Sequence, residues 1–222
     1  MSILFDYPAK AAFGRVLPKN KIYERARPSA ALKELFVRQV EQIIWAYKLA
    51  PETINLPGAP AVPEIQVFRI TLKNAALDPD VLNCIDKAIP FPIVFELFAG
   101  SLCKAAACFK RPSETDSARW VVSDIFASDW LPESAPRAML PVVLDLAALY
   151  EALLSPLLPY PALPGEALPH RIERIENIRT KERELKKIEA QLAREKQFNR
   201  KVEINAKVRA LRQEIAKLMG PT

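Results

Sequence analysis

The 222-residue chain is poor in the residues that most enzyme sites require, with one histidine, three cysteines and five glycines. The glycines form neither a GxGxxG pattern nor a P-loop, so the two common phosphate-cradling loops are missing. The histidine, His170, directly follows a proline in the hinge segment before the C-terminal arm. This position is too peripheral for a Ser-His-Asp or Cys-His arrangement. These absences exclude nucleotide-cradling and triad-based enzymes.

Three further absences concern disulfides, metals and membranes. Cys84, Cys103 and Cys108 are odd in number and irregularly spaced, which is typical of small buried side chains in a reducing compartment. With no Cys/His cluster, we predict no metal site and no cofactor. No stretch reaches 18 uncharged apolar residues, and the start of the chain lacks a basic segment followed by an apolar run. We therefore predict a cytoplasmic protein with no membrane contact.

Half of the residues are hydrophobic, which is enough for a packed body over residues 1–158. Apolar periodicity predicts an α/β (α+β) fold, with a small, mainly antiparallel four-stranded sheet and covering helices. The predicted helices are 30–49, 80–88 and 140–158, and the predicted strands are 64–72, 93–98, 102–110 and 119–126. Residues 159–170 contain several of the chain's 20 prolines, which predicts a semi-rigid joint.

Residues 171–218 contain no glycine or proline and form a predicted helical, coiled-coil arm. Two apolar seams run along it in different registers, and they change over within residues 195–203. We favour one nearly continuous helix because no turn residues mark a break, and a helical hairpin is the alternative. An apolar seam left in water is costly, so we predict that it is covered by self-association, by a fold-back hairpin or by the helices of a partner. The predicted partner-binding residues are Ile178, Leu185, Leu192, Leu211, Ile215 and Leu218.

The arm also contains the positive charge of the chain. It has fifteen Lys and Arg residues against eight Asp and Glu residues, a net charge of +7, whereas the whole chain carries +6. Such a helix is either a solvated face with i,i+4 ion pairs or a surface that binds nucleic acid or an acidic protein. The candidate nucleic-acid-binding residues are Lys196, Arg200, Lys201 and Lys207.

One enzymatic alternative is a metal-dependent nuclease, which needs two carboxylates on neighbouring strands and a lysine two residues beyond the second. Glu64 and Glu96 occupy the carboxylate positions, but Phe98 stands where the lysine should be. Lys104 and Lys110 follow on the next strand and are the only nearby substitutes. The sequence favours a non-catalytic protein, and we name no catalytic residue.

Trp45 and Lys48 lie three residues apart near the end of the predicted helix 30–49. If both lie on one helix face, they either contact a ligand together or have a structural role. In the structural role the tryptophan packs against the core and the lysine extends into solvent.

Several stretches resemble a bacterial family, domain of unknown function 4391. They are Arg15-Val-Leu-Pro-Lys19, Lys21-Ile-Tyr23, 44–53, 64–68, 85–93 and 195–205. Proteins of this family are often encoded beside DNA methyltransferases and helicase-type restriction subunits. The resemblance therefore implies an accessory or adaptor subunit of a phage-defence or restriction-modification-like system, docked on such a partner. DNA contact through the arm is a further expectation, and a nuclease or a stand-alone DNA-binding protein is the alternative.

Overall fold

A computed structural model describes residues 3–113 and 120–220. The chain divides into two compact units, Met1–Leu158 and Pro159–Thr222, which we call the body and the hairpin unit. The mixed α+β class, the mainly antiparallel sheet and the long C-terminal helical arm are as predicted. Arg119, where a predicted strand begins, lies outside the described residues.

The body contains eleven short or medium strands and five α-helices within the described residues. The strands are β1 Phe5–Asp6, β2 Ala12–Val16, β3 Val40–Leu49, β4 Ile65–Leu72, β5 Ile93–Ala99, β6 Leu102–Ala107, β7 Lys110–Pro112, β8 Trp120–Val122, β9 Phe126–Ala127, β10 Leu131–Pro132 and β11 Ala138–Met139. The helices are α1 Lys19–Ala26, α2 Ala30–Gln39, α3 Pro51–Ile54, α4 Pro79–Ala88 and α5 Leu146–Leu154.

The main sheet has the strand order β10-β6-β5-β4-β3-β2, and β9 also pairs with β6. Only β4 and β5 are parallel, and the remaining pairs are antiparallel. The predicted count of four strands is therefore too low. The additional strands are short, except for β3, whose residues were predicted to be part of a helix.

Residues 30–49 were predicted to form one helix. They form helix α2 followed directly by strand β3. The buried positions of β3 are Val40, Ile43, Ala46 and Leu49, at intervals of three that imitate a helical period. The interval arises because the register of β3 against β4 shifts twice, between 40 and 42 and between 45 and 47. A bulge moves the following side chains to the other face of the sheet, so the expected alternation is lost.

Strands β4 and β5 lie at the centre of the sheet, with Arg69 opposite Glu96. Strand β5 is central as predicted, but the prediction that β4 is half-buried is wrong, since most of its residues are buried. One sheet face packs against α1, α2 and α4 in a single apolar core. Members of this core include Phe36, Phe68, Ile85 and Phe95.

Two predicted helices have different outcomes. Helix α4 forms as expected, with Asp78 accepting the Asp80 N–H at its N-terminus. The helix predicted over 140–158 is shorter, because the side chain of Asp145 accepts the Ala148 N–H and so begins α5 at Leu146. Leu144, which is within the predicted helix, lies before this cap and is 88% exposed.

The hairpin unit contains α6, Leu168–Arg194, and α7, Phe198–Met219. The prediction of one continuous helix is wrong and the alternative, a helical hairpin, is confirmed. Glu195 and Gln197 adopt extended backbone angles between the helices. The Glu195 carboxylate accepts the N–H groups of Lys196 and Gln197, which closes the turn without glycine or proline. These bonds to Gln197 and Lys196 lower the pKa of Glu195.

The proline-rich segment before α6 is fixed to the hairpin and is not a bare spacer. Arg171 donates two hydrogen bonds to the Tyr160 carbonyl oxygen. Arg174 binds both carboxylate oxygens of Glu166, at 2.6 and 2.7 Å, and also donates to the carbonyls of Pro161 and Leu218. Arg174 therefore joins this segment to both ends of the hairpin.

Candidate functional site

The two carboxylates of the nuclease hypothesis do not meet. Because β4 and β5 are parallel and Arg69 is opposite Glu96, Glu64 lies five residues away along the strand direction. At about 3.3 Å per residue this separation is roughly 16 Å. A shared metal ion would require the carboxylates within about 5 Å of each other, given metal–oxygen bonds of about 2.0–2.6 Å.

Both carboxylates also have other partners. Glu96 is buried, and its oxygens accept from Arg69 Nε at 2.8 Å and from Arg137 Nη1 at 2.5 Å. Burial raises the pKa of the neighbouring Tyr7 well above its ordinary value, and the Glu96 charge adds to this effect. Glu64 contacts Lys48 Nζ at 3.4 Å and accepts from Gln66 Nε2. Neither carboxylate is left to bind a cation.

Neither substitute lysine reaches Glu96. Lys104 packs over the ring of Trp130 at 4.8 Å, and desolvation lowers its pKa. Lys110 is buried against Asp86, with its Nζ 2.9 Å from Oδ2. It also donates to the backbone carbonyls of Asp86, Ile89 and Phe91. Lys110 thus stabilises the C-terminal end of α4, where several carbonyl groups have no partner within the helix.

The described residues contain no group of three His, Cys, Asp or Glu side chains that could hold a metal ion. All three cysteines are buried and unpaired in disulfides. Burial raises the pKa of each thiol, most strongly at Cys108, which disfavours the reactive thiolate. His170 lies in the exposed first turn of α6.

Trp45 and Lys48 do not share a helix face, because both belong to strand β3. Lys48 pairs with Glu52 at 2.7 Å, and this hydrogen bond raises the lysine pKa. Trp45 packs between Phe13 and Phe68, at ring-centroid distances of 4.0 and 6.1 Å. One edge of the tryptophan lines a cavity in the body.

The apolar seams of the arm face each other inside the hairpin. Ile178, Leu211 and Ile215 are buried, whereas Leu185, Leu192 and Leu218 are partly buried. Ion pairs bridge the helices at Lys181–Glu214, 2.5 Å, and Arg212–Glu189, 2.7 Å. The hairpin therefore covers its own seam, and a second chain is not needed for that purpose. Partner binding by these six residues stays a prediction.

The predicted nucleic-acid-binding residues all lie exposed in the hairpin unit, and three of them are at its turn. Lys196 is in the turn, Arg200 and Lys201 are in the first turn of α7, and Lys207 is farther along that helix. The turn borders a shallow depression of about 680 Å³. We call this surface the basic tip, defined by Lys187, Arg194, Lys196, Arg200 and Lys201.

Two members of this surface, Lys187 and Arg194, and one neighbour were not among the predicted residues. Lys187 lies near Arg200 only because the chain folds back, since a continuous helix would place these two residues about 20 Å apart, at 1.5 Å per residue. Phe198 is 78% exposed beside these cations, although an aromatic side chain is usually buried. A signal was present, since Phe198 belongs to neither apolar seam.

Within the described part of the chain, no helix combines the length and the apolar character that a membrane crossing requires. The fold and the surfaces described above define a mixed α+β protein with a basic C-terminal helical hairpin. The model of the family "Domain of unknown function (DUF4391)" matches residues 5–215. The chain belongs to this family, as its motifs indicated. No curated protein and no solved structure matches it.

Proposed function

We propose that the protein is a non-catalytic accessory subunit that contacts DNA through the basic tip of its helical hairpin. The observation that supports this proposal most is the concentration of five exposed cations around one turn. The acid within this group, Glu195, already accepts two backbone N–H groups. The tip consequently presents an excess of uncommitted positive charge to the phosphate backbone.

The shape of the tip is also suited to a nucleic acid. The tip is a short extended connection between two helices, followed directly by the first turn of α7. The major groove of B-DNA is about 12 Å wide and admits one α-helix, so this end of the hairpin can approach phosphates at the groove edges. The exposed ring of Phe198 offers an apolar contact to a sugar or a base. We expect positioning by phosphate contacts to dominate, so that affinity depends little on sequence.

The body lacks an assembled catalytic site among its described residues, which is why we assign it to protein docking. We propose a DNA methyltransferase or a helicase-type subunit of a restriction-modification-like defence system as its partner. Self-association through the hairpin unit is the alternative arrangement.

Fluorescence anisotropy with a labelled 20-base-pair duplex tests DNA contact. Wild type should bind with an affinity that falls steeply as salt rises. The double variant Arg200→Glu/Lys201→Glu should bind at least tenfold more weakly, and the slope of log affinity against log salt should decrease by about 2.

The matched control is Arg209→Glu/Lys217→Glu. It makes the same change of net charge on the same helix, but its exposed residues begin more than ten residues beyond the turn. This control should keep its affinity within about threefold of wild type. Equal losses of DNA affinity in the two variants would mean that net charge alone causes the effect. That result would contradict binding by the tip.

A further inference from the structure

The body contains a cavity of about 490 Å³ between α1, the end of α4 and the main sheet. Its volume is within the range of small-molecule sites, about 300–1,000 Å³. The floor contains Trp45, Phe68 and Gln66, and Phe91 belongs to one wall. The remaining lining is mostly apolar, apart from three charged side chains on α1.

One wall of this cavity is held by Lys110. Residues 88–91 form that wall, and the carbonyl oxygens of Ile89 and Phe91 accept hydrogen bonds from Lys110 Nζ at 2.8 and 3.1 Å. The lysine is buried and also pairs with Asp86. The wall is therefore held from behind by a buried side chain.

The floor contains a polar group with an unused acceptor. Gln66 is 3% exposed, and its Nε2 donates to Glu64 Oε1. Since a carboxylate paired with Lys48 can only accept, the amide nitrogen must face Glu64. The amide oxygen of Gln66 then accepts no hydrogen bond from any residue that the structure describes. It remains an acceptor to which an N–H group of a ligand in the cavity can donate.

The mouth of the cavity is positively charged. On α1, Lys21 pairs with Glu24 at 3.0 Å, so these two charges compensate each other. Arg25 is exposed at the rim and has no ion-pair partner within the described residues. An anionic substituent on a bound molecule would meet this guanidinium, which can bind a phosphate with two parallel hydrogen bonds.

From these three features we infer that the cavity binds a nucleoside monophosphate whose base carries an exocyclic amine. The flat base occupies the aromatic floor beside Trp45, Phe68 and Phe91. Its amine donates to the Gln66 oxygen, and its phosphate lies at the Arg25 rim. The inference concerns a surface of the body and is independent of DNA binding by the hairpin unit.

Isothermal titration calorimetry on the full-length protein separates the contribution of the amine from that of the phosphate. Adenosine and cytidine monophosphates should bind, whereas inosine and uridine monophosphates, which have a carbonyl in place of the amine, should bind about tenfold more weakly. Adenosine should also bind about tenfold more weakly than its monophosphate, because it lacks the charge that meets Arg25.

Two variants locate these effects. Arg25→Gln changes an exposed residue, so it should fold normally and should abolish the preference for adenosine monophosphate over adenosine. Arg38→Gln, on the exposed surface of α2, is the matched control and should keep that preference. Gln66→Met should abolish the preference for adenosine monophosphate over inosine monophosphate, and near-ultraviolet circular dichroism reports whether this buried substitution preserves the fold.

Three results would overturn the inference. They are the absence of binding heat for all four monophosphates at millimolar concentration, equal affinity for the amine and carbonyl bases, and an unchanged phosphate preference in Arg25→Gln.

Discussion

The body and the hairpin unit are stabilised by different interactions. The body buries an apolar core against one face of the main sheet and further apolar residues on α5, and its buried charges, Lys110 with Asp86 and Glu96 with two arginines, are enclosed by that fold. The hairpin unit has a narrow apolar seam and depends on arginine contacts at its base. A thin seam leaves most of each helix exposed, which allows one end to be densely charged.

This difference can be measured in the intact chain, because the two units have different spectroscopic signals. All three tryptophans, Trp45, Trp120 and Trp130, belong to the body, so their fluorescence follows that unit alone. The hairpin unit contains the two longest helices, and far-ultraviolet circular dichroism follows mainly these. Fluorescence therefore reports changes in the body, and circular dichroism reports mainly changes in the hairpin unit.

The largest effect is expected for Lys110→Ala. The substitution leaves Asp86 buried without its cation and removes the donor to three backbone carbonyls. Removing one partner of a buried ion pair costs about 3–5 kcal/mol of unfolding free energy. Urea denaturation followed by tryptophan fluorescence should show this loss, and Lys104→Ala should lose about 1 kcal/mol or less. Similar losses in both variants would mean that the Lys110 contacts contribute little.

Arg174→Ala should give the next largest effect, in the other unit. Arg174 is 8% exposed and binds Glu166, the carbonyl group of Pro161 before α6 and the carbonyl group of Leu218 near the end of α7. We expect a loss of about 3 kcal/mol in the helical circular-dichroism transition, with little change in the fluorescence transition. Arg212→Ala, which removes an exposed ion pair, should cost less than about 1 kcal/mol. Parallel shifts of both signals in Arg174→Ala would contradict the separation of the two units.

A smaller effect should appear on acidification. Arg174 lowers the pKa of Glu166 from 4.5 to about 2. A lowered pKa in the folded state stabilises it at pH values above the unfolded pKa, and this contribution is lost as the pH falls from about 4.5 towards 2. The thermal midpoint of the helical signal should therefore fall across this interval. In Glu166→Gln that fall should be smaller, and an unchanged acid profile in this variant would exclude Glu166 as its source.

Sequence patterns were sufficient for the class of fold and for elements with one clear period. Helix α4 and strand β5 were predicted because their apolar residues follow a regular period between turn signals. Strand β3 was not, because two bulges place its buried residues at intervals of three, and its position between β2 and β4 decides its structure. Local patterns contain no information on such pairing.

The same limit applies to the candidate surface. Lys196, Arg200 and Lys201 could be selected from charge alone, whereas Lys187 joins them only through the turn at Glu195. That turn contains no glycine or proline, and it is closed by hydrogen bonds from backbone N–H groups to the Glu195 side chain. The cavity beside Gln66 was not foreseen, since it combines residues from three separate parts of the chain.

The basic tip forms only if the C-terminal arm folds back on itself. Paired spin labels at Lys181→Cys and Glu214→Cys test it directly in the full-length chain, with an excess of unlabelled protein added to suppress distances between chains. The hairpin brings these side chains into contact, and helices packed about 8–10 Å apart predict a distance below roughly 25 Å once the label arms are included. A continuous helix would separate the two positions by about 50 Å, at 1.5 Å per residue. A distance near that value, or a short distance that disappears on dilution with unlabelled chain, would contradict a hairpin formed within one chain.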